Sequence, residues 1–195
     1  RDKNICGMVT NTADMLAELT AALDDAAPIT VTSPDFEDGE RLPDWTGFVN
    51  ENERPELRIQ GVPDAAESLL VTMVHPEAAD VVDHEWVHWQ AWGVDPETTV
   101  FRRGEPLEDA TEGYNDFLRR GWGGPSPPPE QVETYRFRVY ALDIDLDLPA
   151  ATRRARVAST VGLEGSVLAA GELTGQYGAD QGTVFVTEGP RGLRP

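Results

Sequence analysis

Between Thr134 and Leu142 the chain alternates without interruption. Tyr135, Phe137, Val139 and Ala141 fall on one side of an extended backbone, and Arg136, Arg138 and Tyr140 on the other. A period of two cannot make one apolar stripe on a helix, so this stretch commits the chain to a sheet. The remaining apolar runs are short. Ile29 to Thr32, Leu57 to Ile59, Ser68 to Val74, Glu85 to Trp92 and Val167 to Leu173 each have strand length, and turns rich in Gly and Pro separate them. The 15 prolines and 18 glycines leave little room for long helices. Asn11 and Thr12 can cap a helix carrying Met15, Leu16, Leu19 and Leu23, with Asp14 near its start, and Ala150 to Val161 reads as a short Arg-bearing helix. A mainly β architecture, built from antiparallel strands with a few peripheral helices, follows. At 195 residues the chain suits one domain with decorated ends. Residues 1–27 form an N-terminal helical extension, 28–177 the main domain and 178–195 a tail or arm, within which Thr183 to Val186 is the only patterned stretch.

Charge narrows the partners. The formal net charge is −19, from 35 acidic against 16 basic residues, and only Lys3 is a lysine. Such an excess repels nucleic-acid phosphates and anionic lipid surfaces, so neither is an expected partner. It resembles proteins of salt-loving cells, where molar salt cuts the screening length to about 3 Å; a merely acidic protein of ordinary cells is the plainer alternative. The single Cys6 cannot form an internal disulfide, which makes the cytoplasm the default location. The chain begins at Arg1 rather than Met, so a leader ahead of it would leave no trace here. No apolar run reaches the ~20 residues of a membrane helix.

His84-Glu85-x-x-His88 matches the zinc-peptidase pattern, in which a helix sets two imidazoles on one face beside a carboxylate base. The residues around it argue against that reading. On a strand, Val87, Trp89 and Ala91 form an apolar face, and His84, Trp86, His88, Gln90 and Trp92 the other. No histidine follows His88, so a third ligand would have to be Glu108 or Glu112, neither on a convincing helix. A zinc-dependent hydrolase is therefore the alternative, and catalytic residues, a metal and a cofactor are not expected. On the strand, His88 is either a packed histidine or a donor to an anion beside the wall of Trp86. The run Gly121-Trp122-Gly123-Gly124-Pro125-Ser126-Pro127-Pro128-Pro129 is either a stiff linker or the wall of a pocket.

Several motifs occur in one order along most of the chain. They are Ile29-Thr30-Val31-Thr32-Ser33-Pro34-x-Phe36-x-Asp38-Gly39, Gly61-Val62-Pro63, Trp86-x-His88, Gly124-Pro125-x-Pro127-Pro128-Pro129, Tyr135-x-Phe137-x-Val139-Tyr140-Ala141-Leu142-Asp143 and Leu146-x-Leu148-Pro149. In this the chain resembles the phosphatidylethanolamine-binding protein family, and within it the prokaryotic branch named for its likeness to Raf kinase inhibitor protein. The resemblance covers about Ile29 to Tyr177. It implies a β-sandwich-like fold with a large antiparallel sheet, a small pocket for a phosphate-like anion and a homodimer; by analogy with family members it also admits a protein-interaction module that inhibits a kinase or protease. Trp86, His88, Gly124, Pro125, Pro127 and Tyr135 match the family's pocket residue for residue. Two segments depart. The family's Asp-Pro-Asp-Ala-Pro is here His75-Pro76-Glu77-Ala78-Ala79, and its His-Arg-Tyr is Glu133-Thr134-Tyr135. The exchange suggests that His75 and Glu133 remain a pair with their roles traded. The expected ligand is a small phosphate ester or carboxylate, neutralised by imidazolium and by donors from Tyr135 and the Gly124-Pro125 loop.

Overall fold

A computed structural model of the chain describes residues 12–178, with side chains from Leu16 onward. The proposed cap at Asn11 and the patterned stretch Thr183 to Val186 lie outside those residues. In chain order the elements are α1 (Thr12–Asp25), β1 (Ala27–Pro28), β2 (Thr30–Thr32), β3 (Leu57–Gln60), β4 (Ser68–His75), α2 (Ala79–Val82), β5 (Trp86–Val94), β6 (Val100–Phe101), β7 (Thr111–Glu112), β8 (Val132–Leu142), α3 (Arg154–Glu164) and β9 (Val167–Gly178).

The alternating strand β8 sits inside a sheet of six, in the order β1-β9-β8-β4-β5-β7. Every pairing in it is antiparallel except that of the two-residue β1 with β9. A second, antiparallel sheet, β2-β3-β6, lies over one face. Between the sheets, Val31, Ile59 and Phe101 of the small sheet meet Met73, Trp89 and Phe137 of the large one in a single apolar cluster. Burial of such side chains contributes about 1.5–3 kcal/mol each, which is what holds the sandwich closed.

The other face of the large sheet is covered as well. Leu19 of α1 and Val157, Ala158 and Val161 of α3 pack on Leu70, Trp92, Tyr140 and Leu142. The N-terminal helix, expected ahead of the main domain, therefore shares its core, and β1 ties the segment after it to β9. The helix placed from Ala150 begins at Arg154, because the turn closed by Thr152 N–H on Pro149 O precedes it. The last strand, read to Leu173, runs on to Gly178 against the start of β8. Among the described residues no helix is long and apolar enough to cross a membrane.

Two buried side chains fasten loops to this frame. Arg54 donates to the carbonyls of Arg102 and Glu105 at 3.0 and 2.7 Å, with its guanidinium 4.9 Å from the Trp89 ring. Burial lowers its pKa to about 10, against the pull of Glu112 and Glu105. Trp92 donates to Leu148 O at 2.9 Å and holds the segment ahead of α3.

Candidate functional site

A β-bulge decides where the aromatic strand points its side chains. Along β4 and β5, Met73 pairs with Trp89 and Val74 with Val87, so His88 is the extra residue. Strict alternation, which put Val87, Trp89 and Ala91 on one face, is broken there. Trp89 and Ala91 lie between the sheets, whereas Val87 lines the helix-covered side with Gln90. The extra residue brings His88 onto the same side as Trp89, where its ring lies 5.0 Å from Tyr135 and 5.4 Å from Phe117. Tyr135 joins this side through the alternation of β8, and His75 ends β4 beside it, its ring 5.2 Å from Tyr135.

His88 is held by the Gly-Pro-rich loop. Its Nδ1 lies 2.8 Å from Gly123 O and 3.1 Å from Gly124 O, and Gly123 N–H donates back to His88 O at 2.9 Å. Carbonyls only accept, so Nδ1 carries the proton and Nε2 is left as an acceptor. Burial reinforces this by lowering the His88 pKa to about 4, further than the two carbonyls can raise it. The expected imidazolium is thus replaced by a neutral ring. The loop in turn is moored to residues 46–52. Gly124 N–H donates to Asn52 Oδ1 at 2.8 Å and Phe48 N–H to Pro125 O at 2.9 Å. A side chain at Gly124 would put Cβ 2.0 Å from Thr46 O, so only glycine allows this approach. The run 121–129 is packed against the domain over its first half rather than extended as a free linker. Pro125 is buried and Pro127 half-buried, and Pro128 and Pro129 are exposed.

His75 Nε2 lies 3.2 Å from Glu133 Oε2 and 4.0 Å from Glu77 Oε2. The exchanged pair is therefore adjacent, while exposed Glu77 turns towards Arg136 Nη2 at 3.3 Å. Burial, then the Glu133 charge, pushes the Tyr135 pKa upward, so its hydroxyl keeps its proton and can donate. Trp86, half-buried opposite His75, packs edge-on to Phe117 at 5.4 Å, and its Nε1–H has no partner among the described residues. His88 and Tyr135 thus set an imidazole acceptor beside a phenol donor, and Trp86 adds an unpaired indole N–H next to their shared neighbour Phe117.

The helical premise of the metal pattern fails on the same geometry. His84 precedes the strand, is exposed, and has Val82 O and Asp116 Oδ2 at its two nitrogens. Glu85 turns away from the pocket and pairs with Arg138 at 3.1 Å and with Arg154. Burial alone would raise the pKa of Glu85, yet the two guanidiniums hold it below the usual range. Among the described residues no cluster of His, Cys, Asp or Glu could hold a metal.

Three participants were not singled out from sequence. Phe117 packs on both Trp86 and His88; Asn52 tethers Gly124; and Asn115 accepts from the N–H groups of Phe117 and Arg119 while donating to Gly121 O. The Asn115-Asp116 pair is a turn-forming signal that could have been noticed. Nothing local marks Asn52 or Phe117.

These features define a β-sandwich protein with His75, His88 and Tyr135 clustered at one end of its large sheet. A family model described as phosphatidylethanolamine-binding protein matches residues 32–178, and the chain belongs to that family. A UPF0098 protein of Methanothermobacter thermautotrophicus is 36% identical over 147 residues, spanning 73% of this chain and 93% of that one. Another, from Pyrococcus horikoshii, is 35% identical over 131 residues, 63% of each chain. The crystal structure of Escherichia coli YbcL, described as a member of the mammalian PEBP family, superposes with a TM-score of 0.71 at 25% identity, covering 79% of this chain and all of that one.

Proposed function

We propose that the chain is a small-molecule-binding protein whose pocket takes a phosphate- or carboxylate-bearing ligand at Trp86, His88 and Tyr135. The observation that carries this reading is the fixed tautomer of His88 beside two donors that have hydrogens to spare. With Nδ1–H committed to Gly123 and Gly124, Nε2 can only accept, so a phosphate ester binds best as its monoanion, donating its remaining proton to His88. Its other oxygens accept from Trp86 Nε1–H and the Tyr135 hydroxyl. The His75–Glu133 pair borders this arrangement and supplies no net positive charge for a dianion.

Titration calorimetry with phosphoethanolamine tests the reading. The second phosphate pKa of such esters is about 6, so near pH 7.5 binding takes up close to one proton, seen as a dependence of the heat on buffer ionisation enthalpy. Tyr135→Phe removes one donor and weakens binding by about fivefold, roughly 1 kcal/mol. Binding without proton uptake and indifferent to Tyr135→Phe would sink the assignment.

A further inference from the structure

On the opposite face of the large sheet lies a cavity of about 860 Å³, lined by none of His75, His88 and Tyr135 and sharing only the edge residue Trp86 with the site described above. Its walls come from α1, the start of β5, the loop around Tyr114 and the first turn of α3. Leu16, Ala17, Val87 and Ala155 make much of the lining apolar. Its polar part is incompletely satisfied. Gln90 is 1% exposed and uses its amide N–H on Tyr114 O at 2.7 Å, yet its Oε1 has no partner among the described residues. Directly across the strands, buried Thr72 Oγ1 is also unpartnered. Arg154 is 9% exposed, and though one arm pairs with Glu85, its Nε–H has no partner. A buried amide oxygen or guanidinium N–H left unpaired costs on the order of 1–3 kcal/mol, so an occupant that pairs both is favoured.

The start of α3 adds donors. Arg153 occupies the cap position without a side-chain hydrogen bond, so the first helical N–H groups face no side-chain acceptor there. The same cavity is also bordered by Asp83 and Asp116, which disfavour any negative charge on the ligand beyond the one that Arg154 meets.

We infer that this cavity is a second ligand site, for a carboxylic acid that carries a hydroxyl or amide N–H near its carboxylate and a short alkyl body. The carboxylate pairs with Arg154 Nε–H and the first turn of α3, the neighbouring donor meets Gln90 Oε1, and the alkyl chain lies between Leu16, Ala17 and Val87. The inference can be tested separately from the phosphate reading, because Gln90 and Arg154 lie on the helix-covered face while His88 and Tyr135 lie on the other, with Trp86 alone bordering both.

Calorimetry of the full chain with 3-hydroxyoctanoate, octanoate and 1-octanol tests it. The hydroxy acid is expected to bind most tightly, octanoate about five- to tenfold more weakly for want of the donor to Gln90, and octanol more weakly still. Ala17→Trp, at an exposed position of α1 where no core contact is lost, fills the cavity and abolishes binding with an unchanged thermal melt. Arg154→Gln weakens the hydroxy acid at least tenfold, while Tyr135→Phe leaves it unaltered. No binding of 3-hydroxyoctanoate at millimolar concentration, equal affinity for octanoate, or binding that survives Ala17→Trp overturns the inference.

Discussion

His88 shows how one residue's surroundings settle its chemistry. An exposed imidazole has a pKa near 6.5, and here burial takes it to about 4 while two carbonyls pin its proton on Nδ1. The folded value lies below the unfolded one, so between these values the unfolded chain binds more protons. The neutral, packed ring supports the fold fully above pH 6.5, and that support is lost as pH falls towards 4. The shift corresponds to roughly 3 kcal/mol, and urea titrations across pH 4 to 7 are expected to show a loss of that order in wild type. His88→Gln, which does not titrate, flattens the profile over that interval whatever its absolute stability. An equally steep profile in the variant would place the titrating group elsewhere.

At the level of single elements, β8 is the strand whose two faces have different work. Its apolar side, Tyr135 to Ala141, fills the space between the sheets. Its other side carries Arg136 and Arg138 into a chain of ion pairs. Arg136 bridges Glu77 and Glu172, Arg138 bridges Glu172 at 2.8 Å and Glu85 at 3.1 Å, and Glu85 reaches Arg154. Arg138 is 3% exposed and sits between two carboxylates that are themselves mostly covered. Removing Arg138 leaves Glu172 with Arg136 and Glu85 with Arg154 as their remaining cations. Arg138→Met is therefore expected to lower stability by about 1.5–3 kcal/mol in chemical denaturation, the worth of charged hydrogen bonds rather than of an orphaned charge. A loss below 1 kcal/mol would mean that water already solvates Glu85 and Glu172. Alternation made this strand the most legible element in the chain, yet alternation reports only that the faces differ. That the arginine face is also roofed by α1 and α3 came from packing. In β5 the same rule failed by one position, because the bulge at His88 depends on how β4 lies against it and leaves no periodic trace.

For the molecule as a whole, the dominant quantity is the net charge of −19. Repulsion among surface carboxylates opposes compaction, and salt screens exposed charges while scarcely touching buried pairs. Thermal stability is therefore expected to rise as KCl is raised from 0.1 M to 2 M, followed by circular dichroism. A melting temperature that falls or stays level over that range would show that the acidic surface imposes no such strain. The family motifs that run from Ile29 to Pro149 fall on the sandwich and on the residues around His88, which is why the β class could be read before any coordinates. Phe117 and Asn52 could not, since each acts through a contact with residues far along the chain.

The sequence by itself determined the alternating strand, the Gly-Pro loop and the lack of long apolar runs. All of these are properties of residue type and spacing, which local sterics and periodicity translate directly into backbone preference. The tertiary structure alone decided that a bulge turns His88 towards Tyr135, that carbonyls from a loop 35 residues away fix its tautomer, and that Leu19 of the N-terminal helix belongs to the core. Those outcomes depend on which distant groups meet and how far water is excluded between them, and neither is encoded in any local pattern.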